Sequence, residues 1–474
     1  MTGSAGTAKG RGGVAIAAAW LPAEELEKNF TDIAPPLTPD AALVESSKCL
    51  FCYDAPCTHA CPTHIDVPAF IKKINTGNLR GSARVILDAN PMGHSCARAC
   101  PVEVLCEGAC VLNDRDEEPI KIALLQRYAT DHVLEKGIKL FEAGSPNGKR
   151  VAIIGAGPAG LSCAQDLRRL GYGVTIFEAR ELVGGLNTYA IAEYKMRVPT
   201  ALAEAQAILD LGVELRTGVV VGRDLAFDEL EREYDAVFAG IGLGGTRQLG
   251  IPGEDLAGVQ DALTFIEQLK TRPYAETPVG RRVVVVGAGN TAIDAATQAR
   301  RLGAERVTIV YRRGEEEMPA YDYEYQLAKK DGCEFRFQTI PRRILGNGSV
   351  TGIECVRAEL GAPDDSGRRA ARELPDTAHV IECDMVLKAV GQLPRAEFAA
   401  AAGLTLEGSK LRSTKLKVFV GGDAANGGAE IVNAAAEGKK AAADIHAFLS
   451  GAPAGEVASK PTLASGPAAY AGIR

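Results

Sequence analysis

Val151-Ala152-Ile153-Ile154-Gly155-Ala156-Gly157-Pro158-Ala159-Gly160 joins a short run of apolar residues to a turn carrying three glycines. The apolar run predicts a buried parallel strand, and Leu161 to Leu170 beyond the turn has helical spacing. Gly155 permits the tight turn, and Gly157 lets backbone amides approach a pyrophosphate. Gly160 allows helix and strand to pack closely, with the helix N-terminus facing the anion. Val174-Thr175-Ile176-Phe177 predicts the next strand, which ends at Glu178, an acid placed to accept bonds from ribose hydroxyls. A lone G-x-G-x-x-G is weak evidence, but strand, turn, helix and acid in this order define a dinucleotide site. Gly184-Gly185-Leu186 adds a second close-approach turn.

The same grammar recurs from Arg282 to Tyr311. Val283-Val284-Val285-Val286 leads into Gly287-Ala288-Gly289-Asn290-Thr291-Ala292. Here no acid ends the second strand; Tyr311 is followed by Arg312 and Arg313. A guanidinium pairs bidentately with a 2′-phosphate that a carboxylate would repel. The bland alternative is two solvated arginines at a strand end, but their position in a nucleotide unit favours NADPH over NADH. Different ribose chemistry implies two different dinucleotides, FAD at the first unit and a nicotinamide at the second. Val418-Phe419-Val420-Gly421-Gly422-Asp423, followed by a helix from near Glu430, supports this. Asp423 is placed to bond a flavin ribityl hydroxyl, and the helix N-terminus to stabilise charge on a reduced ring.

Eight of the twelve cysteines precede these units, in two runs. The first is Cys49-x2-Cys52-x4-Cys57-x3-Cys61-Pro62, and the second Cys96-x3-Cys100-Pro101-x4-Cys106-x3-Cys110. Such density, with two cysteines followed by proline, suits iron–sulfur clusters. Zinc prefers paired Cys-x2-Cys, and disulfides need an oxidising compartment.

With 474 residues, 46% hydrophobic content and a net charge of −7, the chain reads as a soluble protein of several domains. Nothing suggests a nucleic-acid or membrane partner. Val14 to Leu21 is short for a signal peptide and lacks a twin arginine, so the cytoplasm is expected. Thr38-Pro39-Asp40 predicts a capped helix start. Pro68 to Leu87 predicts two short helices, and Pro119 to Glu135 another. Residues 360–380 read as an exposed hairpin or loop.

Further stretches carry a family resemblance. They are Cys49-Leu50-Phe51-Cys52-Tyr53-Asp54-Ala55-Pro56-Cys57, Cys61-Pro62-Thr63-His64-Ile65-Asp66, Asn90-Pro91-Met92-Gly93-His94-Ser95-Cys96 and Leu125-Gln126-Arg127-Tyr128-Ala129. From about Thr38 to Leu449 the chain resembles a flavoprotein superfamily with three known settings. These are dihydropyrimidine dehydrogenase, the glutamate synthase small subunit and the large subunit of NADH-dependent ferredoxin–NADP oxidoreductase. The bacterial dihydropyrimidine dehydrogenase electron-input subunit is the nearest resemblance. It implies one [4Fe-4S] cluster on Cys49, Cys52, Cys57 and Cys110, and a second on Cys61, Cys100, Cys106 and Gln126, with Cys96 a spectator. It also implies Lys195 near the FAD, and Ala389-Val390-Gly391 along the nicotinamide path.

The expected fold is α/β: an N-terminal α-helical iron–sulfur domain, then two interleaved Rossmann-like dinucleotide-binding domains. The expected limits are a flexible tail at 1–36, a helical double-cluster domain at 37–146, an FAD domain at 147–250 and 390–450, an NAD(P)H domain at 251–389, and a tail at 451–474. The resemblance implies hydride passing from NAD(P)H to FAD, then single electrons through the clusters to an FMN-barrel partner that reduces uracil or thymine. The glutamate synthase and ferredoxin–NADP oxidoreductase subunits are alternatives, and a redox-sensing scaffold is the non-enzymatic one. A disulfide reductase would need a Cys-x-x-Cys near the second nucleotide unit, which the remaining cysteines do not supply.

Overall fold

The structure is a computed structural model that describes residues 20–363 and 369–451. Two compact units are present, and the chain passes between them several times.

One unit comprises 37–184, 203–243 and 394 onward. Its sheet is parallel, in the order Val418–Val420, Ala236–Ala239, Arg150–Ile154, Gly173–Phe177, Glu214–Arg216. Val151, Ala152 and Ile153 are fully buried at its centre, which explains their unbroken apolar run. The helix Pro158–Arg169 leaves the first glycine turn with proline in its first turn, where no N–H is needed. It packs against the long helix Ile431–Ser450. The cysteine runs lie among short helices. Pro39–Ser47 is capped by the Thr38 hydroxyl, Val67–Asn75 by Asp66 and Leu79–Ala89 by Asn78. The two helices expected from Pro68 to Leu87 are therefore present, and the third spans Ile122–Glu135. Phe70, Ile71, Ile86 and Leu125 form the buried centre of this region.

The other unit comprises the N-terminal segment to Pro36, Gly185–Leu202 and Gly244–Leu393. Its parallel sheet runs Val259–Asp261, Met385–Lys388, Arg282–Val286, Arg306–Val310, Glu334–Arg336. The helix Asn290–Arg301 follows the second glycine turn. An antiparallel sheet extends the unit, and in it Val350–Pro363 pairs with Arg369–Glu373 as the expected hairpin. Its tip, 364–368, lies outside the described residues.

Three expectations about the domains need correction. Residues 20–36 are not a loose tail: Ala23–Asn29 is a helix, Leu26 and Phe30 join the core around Phe265 and Leu269, and the Trp20 indole donates to the Val279 carbonyl at 3.1 Å. Two apolar residues four apart, one inside a seven-residue helix and one capping it, are too short a pattern to stand out in sequence. Residues 1–19 and 452–474 lie outside the described residues. Gly185–Leu202 belongs with the second nucleotide unit, not the first. The crossings also fall at 243/244 and 393/394, not near 250 and 390. The reason for this last shift is that the two linking segments pair with each other: Gly244 N–H donates to the Leu393 carbonyl at 2.7 Å, and Thr246 bridges Gln392.

Candidate functional site

The backbone around the first cysteine run is turned by unusual conformations. Among the described residues, six non-glycine residues have positive φ; two of them, Phe51 and Ala55, fall in this run and a third, His64, lies just after it. Such left-handed turns are strained, and here they gather sulfurs. Cys49, Cys52, Cys57 and Cys110 line one pocket, whose other walls include Val67, Ile71 and Ile122. Cys61, Cys96, Cys100, Cys106 and Gln126 line a second. All twelve cysteines are free in this structure. Burial pushes the Cys57 thiol up to about 12, helped by the neighbouring Cys49 and Cys110. Burial likewise raises Cys49 and Cys106. Thiols such as Cys49 and Cys57, held protonated by burial beside further cysteines, need a strong positive charge between them to become thiolates, and a metal cluster supplies one. Among the described residues, no group of three or more His, Cys, Asp or Glu could hold a single metal ion.

Gln126 projects from the helix Ile122–Glu135 and is 6% exposed. Its Nε2 donates to the Gly93 carbonyl at 2.5 Å, which leaves Oε1 as the end of the amide able to accept or coordinate. Cys96, the expected spectator, also lines this pocket.

At the first glycine turn, Gly155 has φ 98°, and a Cβ there would press on the Gly240 carbonyl. Glu178, expected to face a ribose, bonds to backbone in this structure. Its carboxylate accepts from Ala156 N–H at 2.8 Å and from Arg180 N–H at 2.9 Å, locking the turn to the end of the second strand. Gly184 N–H donates to the Ala156 carbonyl at 2.8 Å. Gly185 and Leu186, expected beside this turn, begin the next unit. Gly422 has φ 68° and lies against the Ala159 side chain. Asp423, half-buried, accepts from Ala429 N–H at 3.3 Å, and burial raises its pKa. The helix after it begins with a capping box between Glu430 and Asn433, and its Val432 stands in the wall of the second cysteine pocket. Sequence spacing could not reveal that one helix serves both places.

The second glycine turn opens on a cleft of ≈ 700 Å³, a size suited to a dinucleotide. Gly287, Ala288, Gly289, Thr291, Arg312, Ala389 and Gly391 all line it. Asn290 does not; its Oδ1 accepts from Tyr321 N–H at 3.2 Å. The two arginines part company. Arg312 lines the cleft, whereas Arg313 turns away and donates from Nε to the Arg369 carbonyl at 3.1 Å. Arg247 and Lys388 also line the cleft. Sequence reading missed both, because Arg247 is brought there only by the bond from its N–H to the Gly391 carbonyl at 2.9 Å. Lys388 is buried and paired with Glu254 at 3.0 Å and Asp261 at 3.2 Å.

Lys195, expected near the FAD, lies in the unit that contains the second glycine turn. Its Nζ lies 2.8 Å from Asp294 and 2.5 Å from Glu324, and Tyr194 donates to Asp294 at 2.9 Å. Burial alone would lower its pKa, but the two carboxylates outweigh it and hold the lysine above its usual range. Asp294 belongs to the helix of the second turn, so this is a brace for that helix. Glu204 was not foreseen either. It is buried under the helix Gly93–Ala99 and accepts from His94 N–H at 2.7 Å and from the Ser95 hydroxyl at 2.5 Å. Burial pushes its carboxyl up to about 7.

Fold and sites together define an NAD(P)H-dependent oxidoreductase that carries FAD and iron–sulfur chemistry in one chain. Residues 26–138 match the family described as dihydropyrimidine dehydrogenase domain II, 4Fe-4S cluster, and residues 149–438 match pyridine nucleotide-disulphide oxidoreductase. The chain is 36% identical over 445 residues to the glutamate synthase [NADPH] small chain of Escherichia coli, covering 89% of this chain and 94% of that one. It is also 39% identical over 357 residues to the NADPH-Fe(3+) oxidoreductase subunit beta of Geobacter sulfurreducens, covering 73% of this chain and 52% of that one. Among solved structures, FprA, a Mycobacterium tuberculosis oxidoreductase, shares the fold of the nucleotide units, with a TM-score of 0.56 at 21% identity, covering 64% of this chain and 85% of that one. The chain belongs to the pyridine nucleotide-disulphide oxidoreductase family and, within it, to the flavoprotein superfamily of the glutamate synthase small subunit.

Proposed function

We propose that this chain is the electron-input subunit of a heteromeric, NADPH-dependent reductase in the cytoplasm, of the glutamate synthase type. Cys49, Cys52, Cys57 and Cys110 would hold one [4Fe-4S] cluster, and Cys61, Cys100, Cys106 and Gln126 the other. The first glycine turn, with Glu178, Gly422 and Asp423, would hold FAD; the ≈ 700 Å³ cleft would hold NADPH. When bound, flavin and clusters together turn a two-electron hydride into single electrons for a partner. The chain's own residues do the rest. Arg312 takes the 2′-phosphate, Gly289 admits the pyrophosphate to the start of the helix Asn290–Arg301, and Ala389 and Gly391 line the nicotinamide end. The observation that carries the reading is Val432: the helix that follows the flavin block also walls the second cysteine pocket, so the flavin end of the chain adjoins that pocket.

Similarity to the glutamate synthase small chain along nearly its whole length favours a glutamate-forming partner over a pyrimidine-reducing one. The match of 26–138 to the dihydropyrimidine dehydrogenase domain supports the second reading, an FMN-barrel partner acting on uracil or thymine. Reconstitution distinguishes them. The purified chain should reduce one-electron dyes with NADPH. It should support glutamate formation when a glutamate synthase large subunit is added, and it should not support uracil reduction when an FMN-barrel subunit is added. The reverse pattern selects the second reading, and dye reduction without either coupling discards both.

A further inference from the structure

The second cysteine pocket presents five donors, Cys61, Cys96, Cys100, Cys106 and Gln126, where a cubane takes four. The surplus member is not a bystander in its contacts. Cys96 is 4% exposed and sits in the helix Gly93–Ala99, one turn before Cys100, which caps that helix at its C-terminus. Asn90 Nδ2 donates to the Cys96 sulfur at 3.2 Å. That amide is itself fixed: Asn90 is fully buried, and its Oδ1 accepts from Met92 N–H at 3.0 Å. The Thr63 hydroxyl and the Cys61 sulfur share a hydrogen bond at 3.3 Å. Gln126 is anchored to the same short helix, through the Gly93 carbonyl at 2.5 Å. One seven-residue helix therefore positions both a hard oxygen donor and a soft sulfur donor at one pocket. Iron–sulfur clusters prefer soft thiolate.

Resting on the ligand set proposed above, we propose that Cys96 is a reserve ligand of the second cluster, placed to take the fourth iron in place of Gln126. The change is a ligand substitution. The iron–oxygen bond to Gln126 breaks, an iron–sulfur bond to Cys96 forms, the thiol proton passes to water, and no electron is transferred. The added negative charge of a thiolate lowers the cluster's reduction potential.

The test uses the full-length holoprotein, with iron and flavin content, electron paramagnetic resonance of the reduced clusters and redox titration. Gln126→Ala should keep the full iron content, with an altered resonance signal and a lower midpoint for one cluster. Cys96→Ala should also keep its iron, because Gln126 remains. The double variant should lose about half of the iron, corresponding to one of two cubanes, while the retained flavin and first cluster report a folded chain. Loss of half the iron in either single variant overturns the proposal, as does an unchanged midpoint in Gln126→Ala or full iron in the double variant. A wild-type protein free of iron would instead sink the cluster reading itself.

Discussion

Gly438 lies against Ala159: a Cβ at 438 would meet the carbonyl of this residue of the first glycine turn. The helix Ile431–Ser450 thus approaches the helix Pro158–Arg169 at backbone distance, and the same helix sends Val432 to the second cysteine pocket. The glycine is a packing requirement, and it couples the first glycine turn to the pocket wall. Gly438→Ala should destabilise the protein by about 1–3 kcal/mol, the usual range for overpacking, and loosen FAD. Thermal unfolding and flavin release measure both.

The cysteine pockets predict composition. The holoprotein should contain roughly eight irons per chain, and Cys57→Ala should reduce that to roughly four. Reduction of flavin by NADPH should survive, since no nicotinamide-cleft residue is touched. Iron and labile-sulfide assays check the first expectation, and stopped-flow absorbance checks the second.

The divergence of Arg312 and Arg313 predicts unequal effects. Arg312→Ala should weaken NADPH by about 1.5–3 kcal/mol, roughly ten- to a hundredfold, and leave NADH little changed. Arg313→Ala should have a smaller effect on the NADPH/NADH ratio, because its Nε is committed to the Arg369 carbonyl. Titration of both nucleotides against each variant decides the matter.

Lys195 is enclosed by Asp294 and Glu324. Lys195→Met would strand two buried carboxylates and should cost about 3–5 kcal/mol of stability, the range for removing one partner of a buried ion pair. Denaturant unfolding of the variant gives the value. A loss under 1 kcal/mol would show that the pair is solvated in solution.

Glu204 has a folded pKa of about 7, against an ordinary 4.5. The folded state therefore binds more protons than the unfolded state between those values. The stabilisation is complete below the unfolded pKa and is lost as pH rises through 7. Glu107 and Glu324 are also raised, so the slope is shared. Melting temperature should fall from pH 5 to pH 8, and Glu204→Gln should reduce, without abolishing, that fall.

Both glycine turns, the strands and helices beside them, and the two cysteine runs were legible in the sequence. Local rules governed each: backbone conformation at Gly155, unbroken apolar runs in strands buried on both faces, and the cap at Thr38. Tertiary structure decided what depends on residues far apart in the chain. It brought Cys110 to Cys49, set Cys96 beside Gln126, and separated Arg312 from Arg313. It also assigned Lys195 to a brace for the second nucleotide helix, and Glu204 to the helix of the second cysteine run. A motif specifies what its own backbone can do. Which side chain reaches a pocket depends on how strands pair and helices pack, and those contacts join residues that carry no common pattern in sequence.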